Sequence, residues 1–211
     1  MKDENYGKKS VKIGVTGTAG SGKSLVCSRF SRWGIAVVSC DEIARQVVMP
    51  GLPAYDALVS YFGRRIVLKD GTLDRSSLRR VISRSPAQRE KLEGIVQPAI
   101  LAELSVQMTR AVKDKGSIVA AEVPLLFELG LEDQFDFLIT VAAEEEQRVQ
   151  RIARRDRVSQ EQAAALLAMQ MSQQEKTAGA DLVLWNTDSV DDFSFTVDSL
   201  AIKLKELAGL I

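Results

Sequence analysis

The segment Gly17-Thr18-Ala19-Gly20-Ser21-Gly22-Lys23-Ser24 constrains this chain more than any other part of it. It follows a short β-branched run, Val11 to Thr16, and opens a stretch in which Leu25, Val26, Phe30 and Trp33 recur at helical spacing. Strand, glycine loop, helix is the setting that G-x-x-x-x-G-K-[ST] requires. Glycines let backbone N–H groups wrap a chain of phosphates, and the helix N-terminus adds favourable potential. Lys23 is expected to reach the β and γ phosphates, and the Ser24 hydroxyl to ligate Mg²⁺. The sequence therefore predicts an ATP site built from Gly17, Ala19, Gly20, Ser21, Gly22, Lys23, Ser24 and Leu25.

Gly34 ends the first helical pattern, and Ile35 to Ser39 reads as a second strand with Asp41 just beyond it and a helix following to Val48. After Pro50-Gly51-Leu52-Pro53 there is no convincing strand until Lys115, only amphipathic stretches at Ala54 to Phe62, Arg75 to Ser83 and Pro86 to Lys115, the last kinked by Pro98. Ser117 to Val123 and Phe137 to Val141 are near-continuous apolar runs, the pattern of parallel strands covered on both faces, and Leu182 to Trp185 adds a fifth strand. Helices are expected over Glu144 to Arg155, Gln160 to Thr177 and Val190 to Leu207. The predicted fold is α/β: a doubly wound, five-stranded parallel sheet of the P-loop NTPase type, its ligands at the carboxyl ends of the strands. One unit of three parts is expected: a nucleotide core (11–50, 116–143, 180–211), a helical insertion (51–115) and a helical lid (144–179).

Charge narrows the chemistry. Basic and acidic side chains balance at 28 each, which gives no global attraction to nucleic acid, and no run approaches a membrane span. The first nine residues are polar, without the apolar stretch of a signal peptide, so a cytoplasmic protein is expected. Cys27 and Cys40 lack zinc spacing and read as small core residues. With no histidine, any general base is a carboxylate. Asp41 reads either as a helix N-cap or as the group that accepts the proton of an attacking hydroxyl. Glu122 and Glu128 read as solvated strand-end residues or as holders of Mg²⁺. Arg148, Arg151, Arg154, Arg155 and Arg157 crowd into ten residues, with 148, 151 and 155 on one helical face. They form a solvated face or a phosphate-clamping lid, for which the guanidinium fork is suited.

Together these residues resemble one family, the dephospho-coenzyme A kinases, nearly end to end. The likeness is carried by Gly14 to Ser24, Asp41-Glu42-Ile43-Ala44-Arg45-Gln46-Val47-Val48 with Pro50-Gly51, and Asp70-Gly71-Thr72-Leu73-Asp74-Arg75. It continues through Gln97-Pro98-Ala99-Ile100, Val123-Pro124-Leu125-Leu126-Phe127-Glu128, Arg151 with Arg155-Asp156, Gln170, and Ala180-Asp181 before Asn186. The resemblance implies transfer of phosphate from ATP to the ribose 3′-hydroxyl of dephospho-CoA, the last step of CoA formation. It implies Asp41 as catalytic aspartate alongside Lys23 and Arg151. Arg45, Arg75, Gln97, Pro124, Leu125, Leu126 and Glu128 fall in the acceptor pocket, Arg151 and Arg155 on the lid, Asn186 at the adenine, and the insertion becomes the CoA-substrate domain. The implied partner is the small molecule alone, with no nucleic acid or membrane, for a monomer or small homo-oligomer.

The chain departs from the family's usual pattern at several places. Ser39 stands where an aspartate is usual, Gln97 replaces the histidine of a His-Pro pair, and Arg157 replaces the glycine that often follows Arg-Asp. In the loop, Thr18-Ala19 replaces Gly-Ile, and Leu25 replaces threonine. Two alternatives share the glycine loop: another small-molecule kinase of nucleoside or shikimate type, and a non-catalytic nucleotide switch. The second would want Asn-Lys-x-Asp and Asp-x-x-Gly, and neither string occurs in the chain.

Overall fold

The computed structural model describes residues 10–115, 117–187 and 189–210; the polar start, residues 1–9, lies outside them, as do Gly116, Asp188 and Ile211. Its elements run β1 (Val11–Thr16), α1 (Lys23–Arg32), β2 (Ala36–Ser39), α2 (Cys40–Gln46), α3 (Pro53–Phe62), α4 (Arg75–Ile82) and α5 (Pro86–Lys115). They continue with β3 (Ile118–Glu122), β4 (Phe137–Ala142), α6 (Glu145–Asp156), α7 (Gln160–Leu167), α8 (Gln173–Ala178), β5 (Leu182–Trp185) and α9 (Val190–Leu207). The five strands form one sheet in the order β2-β3-β1-β4-β5. β1 pairs in parallel with β3 and β4, and β4 with β5.

The described residues divide into two compact units, one of those up to Val38 together with those from Met108 onward, and one of residues 39–107. In the first, Ile13 and Val15 of β1, Ile139 and Val141 of β4, and Phe30 of α1 are fully buried with Val197 and Ala201 of α9. α9 is tied to α1 by the ion pair of Arg29 with Asp198, whose Nε–Oδ1 distance is 2.7 Å. The register sets Glu122 beside Val15 and Thr140 beside Thr16, so the carboxyl ends of the central strands finish level. The site grows from that edge.

The second unit holds its own core of Leu58, Phe62, Ile66, Leu73 and Leu78, packed against Leu92, Ile95 and Val96. This part was expected to lack strands, and it contains one isolated antiparallel bridge, Val67 to Leu73, closed by a turn at Asp70-Gly71. α4 is capped by Asp74, which accepts from the Ser77 N–H at 3.0 Å and from its hydroxyl at 2.6 Å. Those bonds, the hydroxyl's first, hold the Asp74 carboxyl below the usual carboxylate range. α5 runs through Pro98 as a single helix.

Two expectations are corrected here. A single helix over Gln160 to Thr177 is instead α7 and α8, because Ser172 starts a new helix with a capping box to Glu175. Of the two cysteines only Cys27 is a core residue, and burial pushes its thiol far up; Cys40 is half-buried at the start of α2. Arg157, where glycine is usual, caps α6 in the left-handed region with φ 55°. Among the described residues no helix is long and apolar enough to cross a membrane.

Candidate active site

The loop after β1 takes its shape from close approaches that a side chain would block. Gly22 has φ +109°, and a Cβ built there would lie 2.3 Å from Asn186 Nδ2. Gly22 is also the N-cap of α1, with no side-chain cap and no acidic residue in the first turn, so the positive end of the helix faces the loop. Lys23 is buried, and its Nζ donates to the carbonyls of Gly17 at 2.9 Å and Thr18 at 3.0 Å. This places an ammonium within the loop itself. The Ser21 hydroxyl is buried with no hydrogen-bond partner among the described residues, an orphan that the oxygens of a bound anion would satisfy. Leu25 is half-buried, its side chain packed on the core of the first unit.

Ser24 Oγ donates to Glu122 Oε1 at 2.9 Å, and Glu122 is only 7% exposed at the end of β3. The two readings of Glu122 are thereby narrowed: it is buried beside the loop hydroxyl rather than solvated. A hydroxyl and a carboxylate are hard oxygen donors of the kind Mg²⁺ takes one or two at a time, with phosphate and water completing the shell. No cluster of three His, Cys, Asp or Glu is found among the described residues, so an all-protein cage is not what these residues offer. The set fits Mg²⁺ carried in with phosphates.

The arginines divide. Arg148 is 7% exposed, and its Nη1 donates to Thr18 Oγ1 at 2.8 Å while Nε donates to the Ala143 carbonyl at 3.0 Å. Burial holds its guanidinium below its usual range. Arg151 Nη1 donates to the Gly20 carbonyl at 3.2 Å. Arg155 is exposed and forms a two-point pair with Asp156, at 2.8 Å for each contact. The helical face thus delivers 148 and 151 to the loop and turns 155 outward. Sequence reasoning missed Arg148 as a loop contact because Thr18 is 130 positions away.

The 124–128 loop is anchored from below. Leu126 is fully buried against Gly14, whereas Leu125 is 37% exposed. Pro124 O accepts from Lys176 Nζ at 3.0 Å and from Thr16 Oγ1 at 3.4 Å. Glu128 lies 2.6 Å from Lys176 Nζ and accepts the Met171 N–H at 3.2 Å. Glu128 is therefore bound to a buried lysine, and Glu122 is the glutamate that lies beside the Ser24 hydroxyl. Lys176 carried no signal in the sequence beyond being one more charged helical residue.

Asn186 is buried, and its Nδ2 donates to the Ser21 carbonyl at 2.8 Å, so its amide braces the loop. Gln170 accepts the Ala19 N–H at 2.9 Å. In the second unit Asp41 is exposed in the first turn of α2, and the cap is Ser39, which accepts from the Glu42 N–H at 3.4 Å. Ser39 thus fills the capping role that one reading gave to Asp41. Arg45 and Arg75 are exposed at the last turn of α2 and the first residue of α4, and Gln97 is half-buried on α5.

The dephospho-CoA kinase family model matches residues 11–192. A dephospho-CoA kinase of Thermosynechococcus vestitus is 39% identical over 189 residues, covering 89% of this chain and 92% of its own. A Thermus thermophilus protein of known structure superposes with a TM-score of 0.76 at 31% identity, over 93% of this chain and 98% of that one. The dephospho-CoA kinase of Campylobacter jejuni gives 0.71 at 26% identity, over 92% and 97%. A match of this extent, on a chain whose glycine loop, strand-end glutamate and parallel sheet are those of a phosphate-transferring enzyme, shows that the chain belongs to the dephospho-CoA kinase family.

Proposed function

We propose that this kinase transfers the γ-phosphoryl group of ATP to the ribose 3′-hydroxyl of dephospho-CoA, giving CoA and ADP, with Asp41 as the base or orienting group. The observation that carries the nucleotide half is the Ser24–Glu122 hydrogen bond of 2.9 Å beside a loop whose lysine is buried among its own carbonyls. Asp41 is assigned by family likeness, supported by its exposure and by Ser39 serving as the cap. In the reaction the 3′-oxygen forms a bond to Pγ as the bond from Pγ to the β–γ bridging oxygen breaks, and the hydroxyl proton passes to Asp41. Lys23 and the loop N–H groups hold the β and γ oxygens, and Arg151 stabilises charge on the group in flight. Mg²⁺, held through Ser24 and, by way of water, Glu122, would neutralise phosphate charge.

Arg45, Arg75, Gln97 and the Pro124 to Glu128 loop are assigned to the acceptor, with Leu125 as the exposed apolar contact and Leu126 and Glu128 as its supports. Arg155 is assigned to the rim of the lid. Residues 51–115 are read as the acceptor-binding insertion and 144–179 as the lid, in a cytoplasmic enzyme whose partner is the small molecule alone. Gln97 cannot titrate near neutral pH, so that position serves binding and not proton transfer. The test is ADP release with dephospho-CoA as acceptor and CoA identified by mass. Release with shikimate or a nucleoside instead, and none with dephospho-CoA, would refute the assignment.

A further inference from the structure

The tip of the nucleotide loop, Thr18-Ala19-Gly20, belongs to no strand or helix, yet its Thr18 hydroxyl, Ala19 N–H and Gly20 carbonyl are each engaged by one contiguous part of the chain, residues 144–179. Thr18 is 2% exposed and its hydroxyl accepts from Arg148 Nη1 at 2.8 Å. The Ala19 N–H donates to Gln170 Oε1 at 2.9 Å, and Ala19 packs against Ile152, Ala163 and Leu167. The peptide between Thr18 and Ala19 is consequently held at both ends. Its carbonyl accepts from Lys23 Nζ at 3.0 Å and from the Ser21 N–H at 3.3 Å, and its N–H is taken by Gln170. A flip of that peptide would carry its carbonyl away from Lys23 Nζ and the Ser21 N–H and set it against Gln170 Oε1. Such a flip would release the ammonium and the backbone N–H that its carbonyl holds in place in the loop.

We propose that Arg148 and Gln170 are positioning residues, a two-point latch from the 144–179 segment that fixes the loop tip in its anion-binding orientation and so sets affinity for the nucleotide phosphates. The proposal rests on the nucleotide reading above. It also removes the Ala19 N–H from the phosphate cradle, because Gln170 occupies it, and leaves the cradle to the N–H groups from Gly20 onward. Arg148 acts through Thr18, and Gln170 through the Ala19 backbone. The two arrive from different places in the segment, α6 and the turn between α7 and α8, so the latch depends on those helices keeping their mutual packing.

The decisive variant is Thr18→Val, which keeps shape and deletes one hydroxyl, with Thr18→Ser as the conservative control and Gln170→Leu at the second point. ADP affinity is measured by calorimetry on the full chain, together with KM for ATP and for dephospho-CoA. Thr18→Val and Gln170→Leu are each expected to weaken ADP about tenfold, the effect of one net hydrogen bond. Thr18→Ser is expected to stay within about twofold, as is KM for dephospho-CoA in all three, because a hydroxyl at position 18 restores the bond and the latch acts on the nucleotide side. Adding Thr18→Val to Arg148→Met should weaken ADP no further, since both remove one contact. Folded Thr18→Val and Gln170→Leu proteins that bind ADP as wild type does would overturn the latch alone. Equal losses toward both substrates with no rescue by Thr18→Ser would also overturn it, in favour of a general packing role. Wild-type protein that does not bind ADP would overturn the nucleotide reading and the latch with it.

Discussion

Lys176→Met removes a charge from beneath the loop assigned to the acceptor while nearly conserving volume. The lysine is fully buried, and its Nζ sits 2.6 Å from Glu128 Oε2 and 3.0 Å from the Pro124 carbonyl. Methionine leaves a carboxylate whose side chain is 21% exposed, with the Met171 N–H at 3.2 Å as its remaining donor. Removing one partner of a buried pair costs about 3–5 kcal/mol, and the partial hydration of Glu128 puts this case near the lower end, about 3 kcal/mol. For a chain of this size each kcal/mol moves the midpoint by about 2–4 °C, so Tm should fall by about 6–12 °C. Thermal unfolding by circular dichroism, with urea titration as a check, measures it. Lys176→Met combined with Glu128→Leu should recover most of the loss, since an apolar pair of similar volume escapes the penalty of an orphaned charge. In the single variant KM for dephospho-CoA should rise more than KM for ATP, because the loop that shifts carries Leu125. A loss below about 1 kcal/mol, or a double variant no more stable than the single, would refute the argument that this pair holds the loop.

Asp41→Asn should lower turnover by about 10²–10⁴, the range of a general base, while ADP affinity measured by calorimetry stays within about twofold. Glu122→Gln keeps an oxygen for Ser24 but removes the charge, so activity should require about 10–100-fold more Mg²⁺, read from a magnesium titration of initial rate. Asp198, held below the usual carboxylate range chiefly by its hydrogen bond from Arg29, stabilises the fold fully above its unfolded pKa of about 3.9. That contribution is lost as pH falls through the lower folded value, so Tm should drop in acid, and Asp198→Asn should flatten the profile below about pH 4.

The parts of this protein built from consecutive residues are legible in its sequence. Val119, Ala120 and Ala121 are all fully buried, as a continuous apolar run in a covered parallel strand demands. The glycine loop announced itself because a phosphate cradle is built by consecutive residues. The supports of that loop come from far along the chain: Arg148 reaches Thr18 across 130 positions, Gln170 reaches Ala19 across 151, and Asn186 reaches Ser21 across 165. Nothing local distinguishes a buried arginine on a charged helix from its exposed neighbours, and Arg154 and Arg155 on the same helix are exposed. The break between α7 and α8 was readable, since Ser172-Gln173-Gln174-Glu175 is a capping box. The helical pattern continuing on both sides concealed it. Glu128 differs again, because its pairing with Lys176 is a meeting of two residues 48 apart that each look like surface.

The contact between Gly14 and Leu126 has a use in protein engineering. A Cβ at residue 14 would lie 2.7 Å from Leu126 Cδ1 and 3.0 Å from Leu138 Cδ2, so a single added methyl on β1 must displace the side chain that seats the 124–128 loop. Residue 14 precedes the glycine loop, and those two nearest atoms belong to neither that loop nor its supports. Paired libraries that enlarge residue 14 and trim residue 126 would therefore tune the seat of the 124–128 loop, which we assign to the acceptor, in steps of one methyl. They offer a dial for substrate selectivity with the energy-donor side left as it is.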